Sequence, residues 1–347
     1  MRAVPATPIL SSVMFSNREA EAVSDDALHD SRSPGDEPVG RLETDWIDWL
    51  TRRASRSTLP VPLGDDAAVT QELSGRQMVF ATDLLAEGVH FERSLPSERL
   101  SLVGQKSVGV NLSDLAAMGA RAAACLVAVA IPADWDIARL RALYDGIDSI
   151  CNRFEVELIG GDTNVWHGGL VVSTTAIGHV APGAAWRRDG GRPGDLLVVT
   201  GPLGGSRRGK HWCAEPRLKE AARIGELASV HAAIDISDGL SLDLWRLAKA
   251  SRCGASLSAD AIPVSKAAVE AARRGSGKTA LEHALADGED FELLLALPPD
   301  AAKRLQEDDL LGTSIDVIGR LESEPGLWLE TGEGRRPLVP QGYVHGD

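Results

Sequence analysis

Aspartate closes one short apolar run after another along this chain. The pattern recurs in GDDAAV at 64–69, ATD at 81–83, NLSD at 111–114, GGD at 160–162, DISDG at 235–239 and DGED at 287–290. Asp suits neither strand nor helix interior and favours turns and caps, where its carboxylate bonds nearby backbone N–H groups. For a lone GDD, a turn is explanation enough. Six such repeats, four of them beside glycine, demand more: a fold that collects carboxylates at the ends of its strands and helices. Layered sheets and helices, with loops gathered at the element ends, meet that demand.

Hydrophobic periodicity supplies the elements. LETDWIDWLTRRA (42–54) reads as a helix with Thr44 or Asp45 as cap, and QMVFATD (77–83) as a strand ending at Asp83. Residues 97–119 have apolar spacing of three and four, with Gly119 as the stop. A buried strand at 123–132, a helix at 136–154, a strand at 155–162 entering a glycine turn, and a strand at 170–180 follow. The Gly-, Pro- and Arg-rich stretch 181–195 then marks a change of domain. Beyond it come strands at 196–201, 232–237, 290–298 and 314–321, and a helix at 238–251 with Gly254 just past its end. The expectation is two α/β or α+β domains, 41–182 and 183–347, behind a disordered Ser-, Asp-, Glu- and Pro-rich extension at 1–40.

Charge narrows the partners. Fifty Asp and Glu against 36 Lys and Arg give a net charge of −14 over 347 residues. Such a surface repels nucleic acid and anionic membranes. An anionic substrate therefore needs clustered Arg or Lys, or bound cations. The four cysteines form no CxxC pair, which argues against a zinc site and for a reducing compartment. No apolar run approaches the roughly 20 residues that span a bilayer, and the N-terminus makes a poor signal peptide. The expected location is the cytoplasm.

GSGKT at 275–279 looks like a phosphate loop but fails the test. That motif needs glycine five residues before its Gly-Lys pair, where this chain has Ala272, and SKAAVEAARR ahead of it is helical rather than extended. Nucleotide binding would need another route, and the carboxylates offer one. Mg²⁺ takes oxygen ligands, usually one or two carboxylates plus waters and phosphate oxygens. Several ions on a polyphosphate would need several carboxylates, and Asp66, Asp83, Asp114, Asp162, Asp235 and Asp238 fit that requirement.

These residues also carry a family resemblance. GDDAAV, ATDLLAEGVHF, KSVGVNLSDLAAMGARA, LIGGDT, GGRPGDLLVVTGPLG, IDISDGLSLDL, ASRCGASL and DGEDFELLL stand in the order found in thiamine-monophosphate kinases. From about Leu42 to Tyr343 the chain resembles that family, which belongs with aminoimidazole ribonucleotide synthetase, selenophosphate synthetase and a hydrogenase maturation enzyme. The resemblance implies a two-domain fold of mixed sheets and helices that dimerises through its N-terminal halves and binds ATP without a P-loop. It implies Mg²⁺ ligation by Asp66, Thr82, Asp83, Asp114, Asp162, Asp235 and Asp238. ATP contacts would come from Gly161, Asp162, Arg188 and Ser237, and thiamine contacts from His90, Glu289 and Tyr343. Catalysis would fall to Asp114, Asp235, Asp238 and Arg188.

The implied reaction converts ATP and thiamine phosphate to ADP and thiamine diphosphate. Its acceptor oxygen is already anionic, because phosphate monoesters have a second pKa of about 6. Four departures from the family pattern stand out: Ala81 before the Thr-Asp pair, Asp287 in place of glycine, a short segment at 205–218, and a tail ending GYVHGD. The short segment is expected to trim the nucleotide side of the site. Three alternatives remain open: another ATP-using enzyme of the superfamily, a non-catalytic nucleotide- or metal-binding relative, and an isolated Mg-dependent phosphatase. The reactive cysteines that selenophosphate synthetase and the maturation enzyme would need are missing, since the first cysteine is Cys125 and none lies at the C-terminus. The complete Asp set and Glu289 argue against lost catalysis.

Overall fold

The computed structural model describes residues 47, 49–50, 57–93, 95–212, 215–308 and 312–343. The expected extension at 1–40 and most of the helix expected at 42–54 lie outside them.

The first half builds a five-stranded sheet under two helices. Strands β1 (Ala68–Val69) and β2 (Gln77–Ala86) lead to helix α1 (Leu100–Ala117), β3 (Arg121–Pro132), α2 (Ile137–Phe154), β4 (Glu157–Trp166) and β5 (Val171–Val180). The strand order is β1-β2-β5-β3-β4, with β3 and β4 parallel across the α2 crossover and the other pairs antiparallel. Asp136 caps α2 by accepting from the Arg139 N–H at 2.9 Å, one of the orphan donors of a helix start. Gly119 stops α1 as expected. It takes the left-handed φ of +62° while Ala120 N–H donates to the Leu115 carbonyl.

Two strand ends differ from the sequence reading. Strand β2 runs three residues past Asp83, so Asp83 lies within the strand. Strand β4 continues through Gly160 and Gly161 to Trp166 instead of turning at GGD. The glycines answer a packing need there. The β3–β4 register shifts between Cys125 and Leu126, and a Cβ on Gly161 would lie 1.7 Å from the Val127 carbonyl oxygen.

The second half holds β6 (Leu196–Thr200), α3 (Leu218–Leu227), β7 (Ala232–Asp235), α4 (Leu240–Ala250), β8 (Gly254–Ser258), α5 (Lys266–Arg273) and α6 (Ala280–Ala286). It continues with β9 (Leu293–Leu297), α7 (Pro299–Gln306), β10 (Ile315–Glu322), β11 (Leu327–Thr331) and β12 (Gly334–Pro337). Seven strands form a mixed sheet in the order β12-β11-β8-β10-β6-β9-β7. Gly254, expected just beyond α4 as its cap, instead opens β8. Several short elements (β8, β11, β12, α3, α6 and α7) escape the periodicity reading, because four to ten residues hold too few turns or alternations to show a period.

Helix α1 joins the halves. Leu112 and Leu115 pack in the core of the first sheet with Val79, Val172 and Ala176. On its other side, Ala116 and Ala117 pack with Val198, Ala233 and Leu295 of the second sheet. A helix packed between two sheets carries little amphipathic signal, and polar groups buried on it need partners. Its C-terminal turn lies beside the end of β7, and Ser113 Oγ donates to Asp235 Oδ2 at 2.6 Å.

Candidate functional site

Three of the expected carboxylates meet in the fold. Asp66 follows the glycine turn before β1, Asp114 lies in the last turn of α1, and Asp235 ends β7. One carboxylate oxygen from each lies within 4.8 Å of the other two. Burial raises the Asp114 and Asp235 carboxyls well above the usual range, and neighbouring carboxylates push the same way, Asp83 first for Asp114 and Asp66 for Asp235. Asp83 is likewise raised by burial, against a hydrogen bond with Asp114. Hard oxygen donors gathered at this spacing suit a divalent cation such as Mg²⁺.

Both residues of the GDD pair are used. Asp66 accepts from Arg188 Nη2 at 2.5 Å and Nε at 3.2 Å. Asp65 accepts from the backbone N–H groups of Arg188 at 3.1 Å and Asp66 at 2.9 Å, which fixes the arginine against the turn. Burial pushes the Asp65 carboxyl up to about 6, with Asp66 adding to the effect and Arg188 opposing it. Burial acts to lower the Arg188 guanidinium pKa, but the Asp66 and Asp65 carboxylates outweigh it and hold the group firmly charged.

After β7 the chain turns through Ser237 and Asp238 into α4. Asp243 organises that turn, accepting from the N–H groups of Asp238 at 3.0 Å and Gly239 at 3.1 Å. Arg246 bridges Asp238 at 2.5 Å and Asp243 at 2.8 Å. Asp238 also gives its backbone carbonyl to Tyr343 N–H at 2.9 Å, which brings the C-terminal segment to the site.

A cleft of about 910 Å³ opens over this arrangement, lined by Asp83, Asp114, Asp235, Ser237 and Asp238 together with His90, Glu289 and Tyr343. Of the carboxylates, Asp66 lies behind that lining with Arg188. His90 accepts the Ala86 N–H at Nδ1, 3.1 Å away, so its neutral ring carries the proton on Nε2. The loop 287–291 bends sharply, with left-handed φ at Gly288, Glu289 and Phe291. For a residue with a Cβ that conformation is uncommon, and it clusters at functional sites.

Besides Asp66 and Arg188, three expected site residues are not brought to this cleft. Thr82 neighbours Asp83 on β2, so its side chain points to the opposite sheet face. There its hydroxyl donates to the Thr174 carbonyl at 3.1 Å and meets Thr175 Oγ1 at 3.0 Å. Alternation therefore denies the Thr82 hydroxyl to the cluster. Gly161 and Asp162 lie on the exposed edge strand β4, where Asn164 Nδ2 donates to Asp162 Oδ2 at 2.8 Å.

Other residues enter without having been singled out. The short segment 205–218, expected to trim the nucleotide side, supplies Arg207, His211 and Trp212 to the same cleft as His90, Glu289 and Tyr343. Arg207 stacks on the Tyr343 ring at 5.7 Å and Arg99 on Trp212 at 4.7 Å. His211 and Trp212 carried a signal, since an aromatic beside His in a Gly-rich turn is an unusual loop composition. Lys106 and Asp243, both buried inside helices, carried none.

The family model described as AIR synthase related protein, N-terminal domain, matches residues 64–180, and its C-terminal counterpart matches 192–330. A thiamine-monophosphate kinase of Rhodopirellula baltica is 38% identical over 315 residues, 88% of this chain and 98% of that one. Its Bacillus subtilis counterpart is 31% identical, covering 87% and 99% of the two chains. Among solved structures, AaThiL complexed with AMPPCP and TMP superposes with a TM-score of 0.75 at 28% identity, over 87% of this chain and 96% of that one. Thiamine-monophosphate kinase from Stenotrophomonas maltophilia gives 0.65 at 34% identity, over 82% and 95%.

Proposed function

The chain belongs to the thiamine-monophosphate kinases of the AIR synthase related family, and from that membership we propose how it transfers a phosphoryl group from ATP to thiamine phosphate. The observation that carries the reading is the carboxylate cluster opening into the same cleft as His90, Glu289 and Tyr343. A relative bound to AMPPCP and TMP together supports two substrates meeting in one site.

Asp66, Asp114 and Asp235, with Asp83 and Asp238 beside them, would hold Mg²⁺. When bound, the ions neutralise polyphosphate charge and draw two anions together in an acidic protein. Arg188, held by Asp65 and Asp66, gives the cluster its fixed positive charge and a partner for the triphosphate. Ser237 faces the cleft from the turn before α4 and contacts the nucleotide. His90 presents its Nε2 proton, Glu289 its carboxylate and Tyr343 its ring to the thiamine moiety. No residue need remove a proton, because the acceptor oxygen is ionised near neutral pH. Transfer is direct, since a covalent phosphoenzyme would bring no advantage to an acceptor already anionic.

The active species is a homodimer formed through the first sheet. Phe80, Leu84, Leu126 and Trp166 are exposed there, and the strand registers set them on the same face as Thr82 and Asp162. Any part of Gly161, Asp162 and Thr82 in nucleotide binding then belongs to the assembled pair. Among the described residues no helix is long and apolar enough to cross a membrane, and the cysteine spacing supports a cytoplasmic location.

Purified protein incubated with Mg-ATP and thiamine phosphate should form thiamine diphosphate and ADP in equal amounts. Folded protein that forms neither would overturn the reading.

A further inference from the structure

We propose that Lys106 is the positioning residue of the acceptor subsite, an inference that rests on assigning His90 and Glu289 to thiamine phosphate. Lys106 lies in α1 with its side chain wholly buried. Lysines are almost never fully buried unless paired, and this one has two partners from opposite halves of the chain. Its ammonium donates to the His90 backbone carbonyl at 3.1 Å, in the turn after β2. It also donates to Glu289 Oε1, in the loop between α6 and β9. Trp212 covers the ammonium, with its ring centroid 6.0 Å away.

The pairing acts on a strained loop. Glu289 has φ +53° and Phe291 +51°, and the backbone there is tied to the end of β7 by Glu289 N–H to the Ser237 carbonyl at 2.6 Å and Phe291 N–H to the Ile236 carbonyl at 2.9 Å. Those bonds set the backbone and leave the Glu289 side chain to be aimed. Lys106 aims it. One carboxylate oxygen is taken by the ammonium, while the side chain remains 28% exposed to the cleft. The same ammonium sets where the His90 turn sits. Acceptor recognition therefore depends on a residue that the acceptor does not touch.

Lys106→Met keeps the volume and removes the charge. It should raise the KM for thiamine phosphate by about tenfold or more while the KM for ATP stays within about twofold. Glu289→Gln should cost about tenfold alone, but less than about threefold in the Lys106→Met background, because the second change removes a group already misaimed. Lys106→Gln, which retains a donor for the His90 carbonyl, carries the same test if the Met variant does not fold. Additive effects, or equal changes in both KM values, would show that Lys106 only supports the fold. A wild-type chain that turns over thiamine phosphate with unshifted Lys106 variants overturns this inference alone. A wild-type chain that forms no thiamine diphosphate overturns the acceptor assignment and the inference with it.

Discussion

Asp235 shows how the chain tolerates like charges in its interior. It is only 2% exposed, accepts one hydrogen bond from Ser113, and has Asp66 and Asp114 as neighbours. Repulsion among buried carboxylates is strong where water cannot screen it, and Arg188 relieves it only in part. Replacing Asp235 with Asn preserves the acceptor for Ser113 and removes a charge. The apo variant should unfold at the wild-type temperature or a few degrees higher, lose the Mg²⁺-dependent rise in Tm, and lose turnover. Calorimetry with and without Mg²⁺ checks this. A large fall in apo Tm with turnover retained would instead make Asp235 a structural turn residue.

At the scale of elements, the glycine-rich segment after β6 and the loop before β9 are held together by three acids. Asp287 accepts from Gly205 N–H, Asp290 from Gly204 N–H, and the fully buried Glu292 from Lys210, Arg217 and Thr200. The Asp287 that departs from the family pattern thus fastens the substrate loop, with His283 Nδ1 2.7 Å away on its other side. Burial pushes the Asp290 carboxyl up to about 7, against the opposing pull of Lys210. A carboxyl raised in the folded state binds its proton more tightly there than in the unfolded chain. Its contribution is therefore complete below about pH 4 and is lost as pH rises through about 7, a change of about 4 kcal/mol at most. Metal-free wild type should lose Tm between pH 5 and pH 8, and Asp290→Asn should lose less. Parallel pH profiles for the two proteins would show that Asp290 is not the group responsible.

For the whole molecule, the exposed side of the first sheet is the surface that asks for a cover. Strand β4 is a ten-residue edge strand exposed along nearly its whole length, and long unprotected edges invite pairing with another chain. Apolar Leu126 and Trp166 on the adjoining face make a second copy the natural cover. Sedimentation should give twice the chain mass, and Leu126→Glu with Trp166→Glu should shift it to the monomer and lower turnover. A wild-type chain that sediments as a monomer while active would dismiss the dimer.

The local sequence determined most of the longer strands, the long helices and the Gly119 stop, and it singled out the acids as candidates. Those features depend on residue period, turn chemistry and ordered motifs within a few dozen residues. Which acids meet is a different kind of question. Asp66, Asp114 and Asp235 lie far apart along the chain and come together because α1 is packed between two sheets, a placement set by core burial on both its sides. Parity along β2 separates Thr82 from Asp83, and it holds there because the strand continues three residues past Asp83 instead of ending at it. Lys106 reads as an ordinary helix lysine until its helix is enclosed. Burial then compels it to find partners, and only the tertiary fold decides that they are His90 and Glu289.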